Sequence, residues 1–252
     1  MRKTRLFLTA LVVVSVLAAP AGANAATIVM SGSTTVYPLA VDLAKAYNRR
    51  TGTKFRILQG GSDVGVADAA RGRVTLGMSS RDPKAGDPGG ITFYRIARDA
   101  ICVVTNRARR VSNFSRRQVQ AIYTGRVGGY DIFARSAPSG TQDAFQKLFL
   151  DPFRQTSAAR LLGSNGQVAQ AVRRNRRGIG YVSLAFTGGL NVARYQGVGC
   201  TLRKAKSGTY PGSRNLYFVS RGQAGGAAAG FIRFARSRAG SSIAARNYVP
   251  FR

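Results

Sequence analysis

Ser31-Gly-Ser-Thr-Thr35 is the stretch on which the reading of this chain turns. It stands between the apolar run 27–30, which reads as a strand, and a helical apolar pattern over 36–49. The first N–H groups of a helix lack partners and carry partial positive charge. Glycine lets an anion reach the backbone, and Ser or Thr hydroxyls add donors, so such a turn is an anion cradle. Gly60-Gly-Ser-Asp63 and Ser139-Gly-Thr141 repeat the design, each between a predicted strand and a predicted helix. Any one of them alone reads first as an N-cap with no ligand. Three in one chain imply helix N-termini converging on a small, enclosed oxyanion. Arg135 ends the predicted strand 132–135, four residues before Ser139, and its guanidinium fork suits a tetrahedral oxyanion. Taken alone, an Arg in so basic a chain reads as a solvated surface residue.

Working outward, short apolar runs alternate with helical patterns, the order of an α/β protein. Strands are predicted at 27–30, 55–59, 75–78, 93–96, 101–105, 132–135, 180–183 and 216–220. Helices are predicted at 36–49, 64–71, 116–123, 142–150, 167–174, 227–236 and 242–246. Ser115, Ser139 or Thr141, and Ser164 stand where N-caps belong, and Gly52, Gly72, Gly125 and Gly178 where helices end. No internal repeat is visible.

The chain has 252 residues, enough for one large or two small domains, and 44% of them are hydrophobic. Its 39 Lys and Arg face 9 acidic residues, all Asp, for a formal charge of +30, and it has no His and no Trp. Lacking His and Glu, it cannot build the common zinc sites, Ser-His-Asp or Cys-His catalysis, or Glu-based glycoside hydrolysis. No G-x-S-x-G, S-x-x-K or phosphate-loop motif is present, so no enzyme activity, cofactor or metal site is expected. Met1-Arg-Lys-Thr-Arg5, an uncharged apolar stretch over 6–19 and Ala23-Asn24-Ala25 read as a secretory signal peptide over 1–25. No Cys follows the apolar stretch, so a periplasmic or released protein without lipid anchor or membrane insertion is expected. Cleavage removes the basic residues Arg2, Lys3 and Arg5 and leaves +27. In an oxidising compartment Cys102 and Cys200 are open to two readings, a disulfide or a buried small hydrophobe inside Ala100-Ile-Cys-Val-Val104.

These residues resemble a known family. The quoted cradles join Leu76-Gly-Met-Ser-Ser-Arg81, Asp99-Ala-Ile-Cys-Val-Val-Thr-Asn106 and Gln118-Val-Gln-Ala-Ile-Tyr-Thr-Gly125. Arg135 with Ser139-Gly-Thr-Gln-Asp-Ala-Phe145, Gly178-Ile-Gly-Tyr181, Tyr210-Pro211 and Arg214-Asn-Leu-Tyr217 follow in order. Over nearly all of the expected mature chain this is similar to the phosphate-binding proteins of bacterial phosphate ABC importers.

The resemblance implies a two-lobed periplasmic-binding-protein fold of type II with a double-crossover hinge. It places lobe one at 26–105 plus 212–252 and lobe two at 106–211. The phosphate ligands it implies are Ser33, Thr34, Ser62 and Ser80 from lobe one, and Arg135, Ser139, Gly140 and Thr141 from lobe two. The implied partners are inorganic phosphate and the permease and ATPase subunits of the importer, and a monomer is expected. Relatives often carry an Asp in the cleft that accepts the proton of hydrogen phosphate and so disfavours sulfate. Here Ser80 stands at that place, and Asp63 and Asp82 are the candidate acceptors, although Asp63 also reads as an N-cap and Asp82 as a loop residue. Alternatives are another tetrahedral oxyanion, sulfate or molybdate, or a cationic secreted protein that binds acidic polymers. The charge is spread over both expected lobes, +12 and +15, with no nucleic-acid-binding signature, so nucleic acid is not an expected partner.

Overall fold

The computed structural model describes residues 26–251; the expected signal peptide, 1–25, lies outside the described residues. The chain runs β1 (Thr27–Gly32), α1 (Tyr37–Thr51), β2 (Lys54–Gln59), α2 (Ser62–Ala70), β3 (Leu76–Ser79) and a long β4 (Ile91–Thr105). It continues with β5 (Asn113–Phe114), α3 (Arg116–Tyr123), β6 (Asp131–Arg135), α4 (Gly140–Phe145), β7 (Arg160–Leu162), α5 (Asn165–Arg174) and β8 (Gly178–Ser183). The remainder is β9 (Asn191–Val192), β10 (Arg194–Tyr195), α6 (Leu202–Lys206), β11 (Ser213–Arg221), α7 (Gly226–Arg236), α8 (Arg238–Ala244) and β12 (Val249–Pro250).

Local chemistry accounts for the helix ends. Ser115 with Gln118 and Ser164 with Gln167 form complete capping boxes on α3 and α5, and Ser139 caps α4 through the Thr141 and Gln142 amides. α1 has Pro in its first turn, buries Leu39, Ala40, Leu43 and Ala44 along one face, and carries Arg49 and Arg50 at its negative end. Gly178 is a correction: α5 ends at Arg174 with Asn175 as its cap, and Gly178 opens the buried strand β8. The helix expected over 142–150 is α4 followed by a wider π-turn over Gln146–Leu150, and the last helix begins four residues earlier than expected.

The strand order is β2-β1-β3-β11-β4 and onward β4-β8-β6-β7. β1 is parallel to β2 and β3, and β6 is parallel to β8 and β7, while β11 and β8 run antiparallel to β4. β4 therefore belongs to both halves: Ile91–Ala100 pairs with β11 and Ile101–Thr105 with β8. Two strands had been expected at 93–96 and 101–105, because Arg98 and Asp99 interrupt the apolar pattern. Asp99 is buried here because Arg214, opposite it on β11, neutralises it, so the strand runs through.

Each half has its own core. One gathers Ile28, Met30, Leu43, Met78, Phe218 and Phe231, and ends on β4 at Ala97. The other runs from Ala100 through Val104 to Tyr123, Phe145, Phe149, Tyr181 and Tyr210. The cores thus change hands between Ala97 and Ala100, several residues before the Thr105–Asn106 crossing expected from sequence. Cys102 and Cys200 are disulfide-bonded within the second core, with Cα atoms 5.6 Å apart. No helix of the described residues is long and apolar enough to cross a membrane.

Candidate functional site

Where the two halves face each other, polar side chains from both are buried together. Thr34 and Thr35 lie in the turn from β1 to α1, on the first half. Thr34 Oγ1 accepts from Arg135 Nη1 at 3.1 Å and from Asn165 Nδ2 at 3.2 Å, both donors belonging to the second half. Thr35 Oγ1 accepts from the same Asn165 amide at 2.9 Å and from Arg214 Nη2 at 3.0 Å, and lies 3.1 Å from Thr141 Oγ1. Ser62 opens α2 and Ser80 follows β3; the Ser80 N–H donates to Ser62 Oγ at 3.0 Å, and the two hydroxyls are 3.3 Å apart. Arg214 joins these groups, its Nη1 lying 3.3 Å from the Ser80 carbonyl and 3.4 Å from that of Gly140.

Ser33 and Ser139 hold the two helix entrances. Each Oγ accepts from two helix-end amides, Thr35 and Val36 for Ser33, Thr141 and Gln142 for Ser139. A hydroxyl used in this way keeps its own proton as a donor. The halves touch so closely that a Cβ at Gly140 would collide with the Ser62 hydroxyl. At Gly61, with φ of +95°, a Cβ would meet the Pro138 carbonyl oxygen at 2.5 Å. These two glycines let the halves approach across the cleft, Gly61 against a backbone carbonyl and Gly140 against the Ser62 side chain.

Electrostatics separate the two arginines of the cluster. Arg214 bonds Asp99 through Nε at 3.1 Å and Nη2 at 2.8 Å, and the second oxygen of Asp99 accepts from Ser183 Oγ at 2.9 Å. Arg135 is only 3% exposed, yet its guanidinium contacts neutral oxygens alone: the Leu162 carbonyl at 3.1 Å, the Gly163 carbonyl at 2.7 Å and Thr34. Burial, with Arg214 nearby adding repulsion, pushes its pKa down to about 10. Its backbone N–H donates to Tyr181 Oη at 2.9 Å, and the Tyr181 hydroxyl donates to Gln142 Oε1, which fixes the end of β6 against α4. A buried cation without a carboxylate is costly, and an anion placed beside it offsets that cost.

The structure brings together Ser33, Thr34, Ser62, Ser80, Arg135, Ser139, Gly140 and Thr141. It does not bring Asp63 and Asp82 to them. Asp63 is half-exposed and paired with Arg81 at 2.7 Å and Lys84 at 3.2 Å, while Asp82 accepts from Tyr217 Oη at 2.6 Å and Asn215 Nδ2 at 3.1 Å. Sequence reasoning missed Thr35, Asn165 and the Asp99–Arg214 pair. Thr35 was legible inside the first cradle, and Asn165 follows the N-cap Ser164. The pair is 115 residues apart in sequence and carries no local signal. A cavity of about 400 Å³ adjoins the cluster, lined by Thr34, Gly60, Gly61, Arg135, Ser139 and Gly163 among others.

Comparison with known proteins places the chain in a family. Residues 17–239 match the family model of the PBP superfamily domain. The phosphate-binding protein PstS 2 of Streptococcus agalactiae is 32% identical over 110 residues, 43% of this chain, and the match spans 38% of that protein's length. A Clostridium perfringens protein assigned to phosphate ABC transport as a substrate-binding protein, crystallised with bound phosphate, superposes with a TM-score of 0.85. It is 26% identical, over 90% of this chain and 100% of that one. An ABC-type phosphate transport receptor of Vibrio cholerae, 23% identical over 88% of this chain and 99% of its own, superposes at 0.73 and shows the same fold. With a two-lobed α/β architecture whose halves share β4 and a family model matched over most of its length, the chain belongs to the PBP superfamily.

Proposed function

We propose that this protein captures inorganic phosphate between its lobes outside the cytoplasm and delivers it to the permease of an ABC importer. The observation that carries the reading is Arg135, a buried cation whose guanidinium meets only neutral acceptors, Thr34 of one lobe and the Leu162 and Gly163 carbonyls of the other. In this reading Ser33, Thr34, Thr35, Ser62 and Ser80 of one lobe and Arg135, Ser139, Gly140, Thr141 and Asn165 of the other surround the anion, with Arg214 between them. Lobe one comprises residues up to Ala97 together with those from Ser213 onward, and lobe two the interval between. The anion adds charge neutralisation to contacts that only the closed arrangement brings together, so binding favours closure. Closure is the signal a permease reads. The protein acts as a monomeric carrier without catalysis. The names of the similar proteins, the two-lobed fold and the buried cation together support phosphate as the ligand.

Calorimetric titration of the exported protein, freed of ligand by unfolding and refolding, tests this with phosphate and then sulfate at low and high salt. The expected result is one phosphate per chain with an affinity that changes little with salt, because an enclosed site is poorly screened. Heats that vanish at high salt would assign anion binding to the cationic surface and overturn the reading. Equal response to sulfate would make the protein a general oxyanion carrier.

A further inference from the structure

A second cavity, of about 830 Å³, opens between the lobes where β4 and β11 face α4 and the turn after it. Seven cationic and three acidic side chains line it. Three of the cations are matched: Arg214 by Asp99, and Arg81 and Lys84 by Asp143 at the cavity wall. Arg95, Arg98, Lys147 and Arg154 make no ion pair among the described residues. Of the lining carboxylates, Asp82 is held by Tyr217 and Asn215, and Asp151 alone has no side-chain partner among the described residues. The unmatched cations stand on both sides of the cleft, two on β4 and two on the segment following α4.

The apolar part of the lining decides what fits. It consists of Pro83, Ala144 and Leu148, with no aromatic ring. Without a ring the lining offers no aromatic face for a base and too little apolar surface for an acyl chain, whereas guanidinium forks suit phosphoryl oxygens. The volume is far larger than one tetrahedral oxyanion needs, and the cations are too spread over two lobes for one such ion to serve them all. We propose that this canyon is a second anion-binding site, adjoining the enclosed cluster at Arg214, and that it takes condensed inorganic phosphate, a chain of linked phosphoryl groups. The site does not require the enclosed cluster to be filled.

Calorimetric titration of the exported protein with tripolyphosphate at physiological ionic strength tests this, once with the protein saturated by inorganic phosphate and once without. One tripolyphosphate per chain is expected in both. The triple variant Arg95→Gln/Arg98→Gln/Arg154→Gln is expected to weaken tripolyphosphate at least tenfold while inorganic phosphate stays within twofold. The control Arg107→Gln/Arg110→Gln/Arg246→Gln removes the same charge from exposed positions away from the canyon and leaves both affinities unchanged. Equal weakening by the two triple variants, wild-type affinity in the canyon variant, or no uptake by either form of the protein would overturn the proposal. Should the protein bind no inorganic phosphate at all, the transport reading fails, and the phosphate-free titration still reports on the canyon.

Discussion

Arg135 and Arg81 are almost equally buried in the same cleft, 3% and 5% exposed, and their surroundings are opposite. Arg81 is ringed by carboxylates: Asp87 at 2.5 Å, Asp63 at 2.7 Å and, from the other lobe, Asp143 at 3.4 Å. Burial pulls its pKa down, but hydrogen bonds to Asp87 and Asp63 and their charges outweigh that, and the net shift is upward. Arg135 has only carbonyls and a hydroxyl, and its pKa falls. The first arrangement is satisfied by the protein itself and holds structure together. The second leaves a positive charge that a ligand must answer, which is why the cluster around Arg135, and not the richer charge network around Arg81, reads as the oxyanion site.

The sharpest way to break this contrast is Arg135→Ala. It is expected to cost about 2–5 kcal/mol of phosphate binding, the range for truncating a buried charged partner, or roughly thirtyfold to several thousandfold in affinity. The melting temperature of the ligand-free protein should stay within a few degrees, and an unchanged calorimetric affinity would remove Arg135 from the site. Asp99→Asn inverts the test, converting Arg214 from a matched into an unmatched buried cation. Chemical denaturation should show a loss of about 3–5 kcal/mol in the ligand-free protein, and added phosphate should recover part of it by mass action. Equal losses with and without phosphate would separate Arg214 from the anion.

The smallest effect is expected from acid. Asp87 feels desolvation that would raise its pKa, but the hydrogen bonds and charges of Arg81 and Lys84 outweigh it and hold it below 3.8. A carboxyl depressed in the folded state contributes stability that is present above its unfolded pKa and is lost as pH falls through the folded one. Asp87→Asn should therefore flatten the decline of stability below about pH 4 and leave the neutral-pH phosphate affinity alone. An unaltered acid limb would mean that the network around Arg81 contributes no pH dependence.

How much was legible follows from the range over which each signal acts. The cradles, Arg135 and the caps on α3, α4 and α5 are set by neighbours within four residues, and their types and spacing were plain. The caps on Ser115 and Ser164 stand where the sequence placed them, and of Ser139 and Thr141 it is Ser139 that caps α4. β4 was split in two because a buried Asp looks like a break until its partner is seen. The two-residue strands and the five-residue α6 are too short to show periodicity and exist because longer elements hold them.

Asp63 shows the other limit. Its place beside Gly60-Gly-Ser62 made it a candidate proton acceptor, but Lys84 and Arg81 reach it from outside that segment and turn it to the rim. Composition and local pattern thus determined the α/β class, the cationic character, the absence of His-dependent chemistry and the presence of anion cradles, since these depend on residue type and near spacing alone. Only the tertiary structure decided which cations are neutralised, where the two cores meet, and that Asn165 and Arg214 close the ring around Thr34 and Thr35. Those outcomes depend on groups that only folding brings together, from Asp63 and Arg81, 18 residues apart, to Thr35 and Arg214, 179 apart, and burial changes the energy of a charge only after the fold has chosen its neighbours.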